Sequence, residues 1–135
     1  MDRLLFRDAI TERFKLKFGK RTDCRVAYEN GPKVDLNTVT VPVISYEIIY
    51  ENSTQADLHE QPQTLDTGSV LVNILVRDMA GNRTAYALRE EVAKLLQRQH
   101  IADAVMQVGQ PLPNSHAVKG WVGYRVTVPF WHFHF

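Results

Sequence analysis

Three segments with the patterns of β-strands constrain the fold of this chain more than any other feature. They are VISYEIIY at 43–50, GSVLVNILVRD at 68–78 and WVGYRVTVPF at 121–130. Because successive side chains of a β-strand point to opposite faces, a period of two predicts strands with one buried face. The middle segment is apolar on both faces, which is typical of a central strand. The chain is therefore expected to be built around a sheet.

Two further segments have apolar residues at three- and four-residue spacing, which predicts amphipathic helices. The first helix is predicted over 2–18, and Gly19 marks its end. The second is predicted to begin near Asn82 or Thr84 and to continue to about His100.

The remaining segments predict short strands and loops. Short strands are expected at 25–30 and 104–108. The polar stretch 52–67 has neither period and predicts a long projecting loop, and the proline- and glycine-containing stretch 109–120 predicts a second loop. Unstructured connections longer than about 12 residues are uncommon in compact domains and often have a function.

This order of elements predicts an α+β fold with a mixed, largely antiparallel sheet and two helices packed on one of its faces. The 135 residues fit a single domain, 1–135, with one core. No internal repeat or domain boundary is visible.

Composition favours an ordinary folded protein made in a reducing cytoplasm. Hydrophobic residues make up 44% of the chain and charged residues 23%. Cys24 is the single cysteine, so no internal disulfide is possible. The apolar runs are far shorter than the roughly 20 residues needed to cross a bilayer, and the first residues do not form a signal peptide, so neither a membrane nor export is expected.

Charge is distributed unevenly, although the net charge is only +1. Residues 1–24 carry seven Lys and Arg against four Asp and Glu, residues 25–67 carry two against seven, and residues 68–135 carry seven against four. The small net charge argues against a dedicated nucleic-acid binder. The acidic middle is solvated surface, one of two complementary faces in an assembly, or a surface that keeps DNA from adhering.

Candidate catalytic residues are few. Asp57, His59 and Glu60 lie together in the first predicted loop, and His116 lies in the second. His132 and His134 lie two residues apart near the end of the chain. On a strand these two imidazoles would lie about 7 Å apart on one side, which could begin a metal site but would need ligands from loops. No catalytic or phosphate-binding motif accompanies them. We therefore expect no enzymatic activity, no catalytic residue, no metal and no cofactor, and we interpret the histidines as surface or interface residues.

The polarity of the last strand shifts near its end. Apolar residues occupy even positions from Val122 to Phe130 but odd positions from Trp131 onward. Either a bulge near Pro129 resets the strand, or its end leaves the core and packs its aromatic residues against a partner. The second alternative is favoured. The predicted interface consists of the loop residues Asp57, His59 and Glu60 and the terminal residues Trp131, His132, Phe133, His134 and Phe135.

The chain resembles the lambda-type tail terminator proteins of long-tailed bacteriophages. The resemblance covers nearly the whole length and rests on the order of the elements and on local features. These are the basic first helix, VAYEN at 26–30, Val41-Pro42 before a strand, TLDTGSVLVNILV at 64–76, Gly81 before the second helix and GWVGYRVTVPF at 120–130.

This resemblance implies a virion protein that forms a ring, usually a hexamer, on the head-proximal end of the tail tube. The ring stops tube polymerisation and presents a surface to the neck, or head-completion, protein, while DNA passes through its channel without specific binding. The implied partners are other copies of the chain, the tail tube protein and the neck protein. Another ring-forming head–tail connector or tail-completion adaptor is the alternative, and a small metal-dependent enzyme is a third.

Overall fold

The computed structural model describes residues 2–29, 31, 33–55, 64–78 and 81–134. Two helices and seven strands lie within these ranges. In chain order they are α1 (Asp2–Phe18), β1 (Arg25–Ala27), β2 (Val43–Gln55), β3 (Thr64–Arg77), α2 (Arg83–Leu96), β4 (His100–Ile101), β5 (Ala104–Met106), β6 (Gln110–Ser115) and β7 (Trp121–His134).

The strands form one sheet in the order β1-β2-β3-β7-β5-β4, and β6 also pairs with β7. Only the β1–β2 pair is parallel among the described strands, so the sheet is mixed and largely antiparallel, as predicted. β3 lies between β2 and β7 over its whole length, which confirms that the segment apolar on both faces is a central strand.

Both helices pack on the same face of the sheet, and the main core lies between these two layers. α1 buries one side chain per turn, namely Phe6, Ile10, Phe14 and Phe18. α2 buries Ala85, Leu88, Val92 and Leu96. They pack against the even-numbered residues of the long strands, such as Ile44, Val72 and Val126. The predicted α+β fold is therefore confirmed.

The predicted loop at 52–67 is wrong at both ends. β2 continues to Gln55 and β3 begins at Thr64, with Asn52 opposite Thr67 and Thr54 opposite Leu65. Most residues of these strand ends are polar, yet their backbone hydrogen bonds continue the ladder, and this pairing needs no apolar pattern. The centre of the predicted loop, 56–63, lies outside the described residues.

The predicted second helix is too long at its C-terminal end. α2 ends at Leu96, because Gln97 is extended and Arg98 has a positive φ of 55°. The side-chain amide of Gln99 donates to the carbonyl oxygens of Lys94 and Leu95, each at 3.0 Å, and so satisfies the last turn. The residues after Leu96, Gln97 to His100, are polar and include neither Gly nor Pro, so the sequence gives no sign of the stop. His100 instead begins β4.

The predicted loop at 109–120 contains strand β6. This strand pairs with β7 through Gln110–Thr127, Pro111–Val126 and Leu112–Arg125, and the register shifts before Ser115. Proline is tolerated at a sheet edge because a missing N–H can face away from the neighbouring strand. The prediction of a loop was therefore wrong for β6, because the proline and glycine residues of 109–120 are typical of turns, whereas Gln110–Ser115 is an irregular edge strand.

A β-bulge separates the two halves of β2. The register shifts between Tyr50 and Asn52, so core-facing residues are even-numbered before the bulge and odd-numbered after it. Gly68 lies beside this bulge. A Cβ atom at Gly68 would overlap the carbonyl oxygen of Ile49 and would lie 3.1 Å from Cζ of Phe130. Glycine is required here because the two backbones approach so closely.

Candidate assembly interface

The face of the sheet opposite the helices is only partly covered. At one end, the segment 33–42 packs on it and buries Val39, Val43 and Trp121. Arg77 holds this segment in place, since its guanidinium lies 4.5 Å from the Trp121 ring and donates to the carbonyl oxygens of Leu36 and Val39. This covering does not reach the end of β7 that contains Trp131.

Trp131 lies at the end of the sheet that segment 33–42 does not reach, and within the part of the chain that the structure describes 52% of its surface is exposed. It lies between Thr67 of β3 and Val105 of β5 in the sheet register. Apolar and half-buried residues continue this surface along neighbouring rows, namely Ile49, Leu71, Val105 and Pro129. We call these four residues and Trp131 the Trp131 patch. Exposed apolar patches are typical of interaction sites.

Of the two explanations offered for the polarity shift in β7, the bulge near Pro129 is wrong, and the packing of the terminal aromatic residues against a partner stays a prediction. The strand pairs with β3 without interruption from Trp121–Arg77 to His134–Thr64, so no bulge resets it and its end does not leave the sheet. Even positions therefore remain on the core face and odd positions on the open face. Trp131 is exposed because it keeps its place in this alternation.

His132 consequently occupies a core position. It is completely buried, its ring centroid lies 5.2 Å from that of Phe6, and it lies directly opposite Asp66 across the β3–β7 pair. The expectation that this histidine lies at the surface or in an interface is wrong, because the straight register turns it toward α1. Alternation along a strand decides which face of the sheet each side chain occupies, but it does not decide whether the side chain on the core face is apolar.

A buried polar cluster surrounds Asp66, which is itself fully buried. Arg3 donates from Nε and Nη2 to the two carboxylate oxygens of Asp66, both at 2.8 Å. The Ser53 hydroxyl donates to the same carboxylate at 2.6 Å. The Arg3 guanidinium also lies 4.3 Å from the Tyr50 ring. The cluster ties the first turn of α1 to the far ends of β2 and β3.

The electrostatics of this cluster follow from burial and pairing. The hydrogen bonds and charge of Asp66 raise the pKa of Arg3 above its ordinary value. Burial raises the pKa of Tyr50, because the ionised phenolate would lose its hydration.

A groove of about 320 Å³ beside the cluster is lined by Arg3, Leu4, Arg7, Glu29, Ile48 and Tyr50. Arg7 and Glu29 form an ion pair across it at 3.2 Å.

A second, basic groove lies between the two helices. Its volume is about 530 Å³, and it is lined by Arg13, Lys17, Glu91, Lys94, Leu95 and Gln99. Arg13 donates to the side chain of Gln99, and Arg21 pairs with Glu91. The groove thus combines cations from the two positively charged segments of the sequence, 1–24 and 68–135. We call it the interhelical groove.

The predicted interface residues are therefore only partly brought together. Trp131 is at the surface, His132 is in the core, and the backbones of Phe133 and His134 pair with Leu65 and Thr64. Asp57, His59, Glu60 and Phe135 lie outside the described residues. No sequence pattern pointed to Arg3 and Asp66, which are far apart in the chain and become partners only through the packing of α1 across the sheet.

Within the described ranges, no group of three or more His, Cys, Asp or Glu side chains is arranged to hold a metal ion. Of the helices described, neither is long and apolar enough to cross a membrane.

No protein-family model matches the chain, and no curated protein matches it by sequence. Solved structures do match it. One, whose name gives no function, is 12% identical, covers 100% of this chain and 97% of its own, and has a TM-score of 0.66. Another, named "Virion of native gene transfer agent (GTA) particle", is 13% identical, covers 98% of each chain and has a TM-score of 0.57. The chain shares the fold of these proteins over essentially its whole length.

Proposed function

We propose that the chain is a non-enzymatic virion structural protein that acts as a tail terminator. In this role it forms a ring, expected to be a hexamer, on the head-proximal end of a phage tail tube. It stops tube polymerisation and provides the surface on which the neck protein joins the head. DNA passes through the ring without specific binding.

The observation that carries the proposal is the whole-length structural match to a chain of a gene transfer agent virion. The match spans the same order of elements on which the resemblance to tail terminators rests. Both chains are covered at 98%, so the match is between whole domains and not between a shared sheet fragment.

The surface of the molecule is compatible with assembly. A subunit of a ring uses one patch to contact a different patch of its neighbour. The Trp131 patch and the interhelical groove lie on opposite layers of the fold, the first on the open sheet face and the second on the helices. Their different chemistry suits a contact between unlike surfaces, and either can also serve the tube or neck protein.

The proposal is tested by locating the protein in particles. The chain would be produced with a peptide tag in the cell that makes the particles, and purified particles would be labelled with gold-conjugated antibody and imaged. We expect label at the junction of head and tail, one cluster per particle. Label along the tube, at the distal tip or absent from particles would contradict the proposal.

A neck adaptor is the second candidate, because the matching structure is named for the whole particle and not for a position within it. An adaptor would give the same label at the junction. The two functions differ in what happens when the protein is missing, because only a terminator controls the length of the tube.

A further inference from the structure

The open sheet face carries carboxylates beside its apolar residues. Glu47 is exposed and lies directly opposite Leu71, on the face away from the helices. Glu51 is exposed at the β2 bulge, next to the sheet row that contains Trp131. Among the described residues neither glutamate forms an ion pair. Within the described part of the chain, this surface therefore carries two unpaired carboxylates beside its apolar residues.

The interhelical groove has the opposite charge. Lys17 and Lys94 are exposed and form no ion pair with any residue that the structure describes. The carboxylate in the groove, Glu91, is neutralised by Arg21. Apolar surface is present as well, because Leu95 lines the groove.

These two surfaces cannot meet within one chain, since the sheet and its core separate them. We propose that the interhelical groove of one subunit binds the Glu47, Glu51 and Trp131 surface of a second copy of the chain. This inference rests on the proposed function only in assuming that the chain assembles with itself. The occupant is a second copy because the complementary charge and apolar area are both present on this same molecule.

The contact is a head-to-tail one, in which each subunit uses both surfaces and the series closes when the rotation between neighbours allows it. The charge pairs set orientation and speed association, and Trp131 supplies the apolar anchor that such interfaces usually need. Association should therefore weaken as the salt concentration rises.

The test uses two double variants of the full chain and their combination. Glu47→Lys with Glu51→Lys reverses the charge of the sheet surface, and Lys17→Glu with Lys94→Glu reverses the charge of the groove. Light scattering during size-exclusion chromatography would measure the assembled mass over a range of concentrations, and thermal melting would confirm folding. Lys33→Glu with Lys119→Glu is the matched control, because both lysines are exposed and lie outside the two surfaces.

We expect each double variant to associate at least tenfold more weakly than the wild type and the control to be unchanged. The variant that combines all four reversals should assemble again, since the charges are complementary once more. Unchanged assembly of either double variant, a folded combined variant that stays monomeric, or a wild type that stays monomeric at its highest soluble concentration would overturn the inference.

The two proposals fail independently. If gold label lies at the junction of head and tail but the reversals leave assembly unchanged, the function stands and this interface is wrong. If the combined variant restores assembly but no label is found on particles, the interface stands and the virion function is wrong.

Discussion

Arg3 and Asp66 are joined by two parallel hydrogen bonds of 2.8 Å between the first turn of α1 and the start of β3. Asp66 is fully buried, while 45% of the Arg3 side chain is exposed. The pair links residues 63 positions apart. It therefore fixes the position of the helix on the sheet.

Replacing Arg3 with Met should destabilise the protein, because a buried carboxylate loses the cation that pairs with it. Breaking a buried ion pair costs about 3–5 kcal/mol, and partial exposure of Arg3 lowers the expected loss to about 1–3 kcal/mol. Urea unfolding followed by circular dichroism would measure it. Arg89→Met on α2 is the control, since Arg89 makes no ion pair among the described residues. Equal stability of the two variants would refute the structural role of the pair.

Phe6 and Leu5 are neighbours on α1 with opposite environments. Phe6 is completely buried with its ring centroid 4.7 Å from that of Phe130, whereas Leu5 is 58% exposed. Phe6→Ala should lower the free energy of unfolding by about 3–5 kcal/mol because it leaves a cavity. Leu5→Ala should change it by less than about 0.5 kcal/mol. Chemical denaturation of both variants tests this, and a similar loss in both would show that the helix is rotated from the described orientation.

Gly68→Ala should be destabilising because the added methyl group would overlap the Ile49 carbonyl at the bulge. Overpacking of this kind costs about 1–3 kcal/mol. Thr127→Ala, on the open face of the same sheet, is the control. Thermal melting would compare the two. A Gly68→Ala variant as stable as the control would mean that the bulge can relax at no cost.

Trp131 and His132 are adjacent, but replacing the first should affect self-association and replacing the second should affect stability. Trp131→Gln should keep its melting temperature and lose self-association, because the side chain lies on the open face. His132→Ala should lose stability by about 1–3 kcal/mol, because a buried side chain against Phe6 is removed. Melting curves and assembled mass would be measured for both. A large loss of stability in Trp131→Gln would place that residue in the core instead.

The sequence predicts the parts of this fold that bury a regular face. The central strand β3 and the apolar stripe of α1 follow directly from their periods, because each period matches the geometry of one element. Elements outside the main core were missed. The polar ends of β2 and β3 and the proline-containing β6 are held by backbone pairing, which leaves little trace in side-chain polarity.

The candidate interface was predicted less completely than the fold, because its residues come from segments that are distant in the sequence. The polarity shift in β7 correctly predicted that Trp131 lies away from the core, and its role in an interface stays a prediction. His132 was misplaced because the end of β7 was expected to leave the core, whereas the uninterrupted register keeps this residue on the core face. Arg3 with Asp66 and the interhelical groove both join distant segments, so no local pattern could reveal them.

The length of tails assembled without the protein tests the central claim most directly. The coding sequence would be deleted from the genome that makes the particles, and tail lengths would be measured by negative-stain electron microscopy, with the wild-type chain supplied in trans as control. If the protein is a terminator, tubes made without it should be excessively long and vary widely in length, and they should return to one length on complementation. Tubes of normal, uniform length that fail to join heads would contradict a terminator and identify an adaptor.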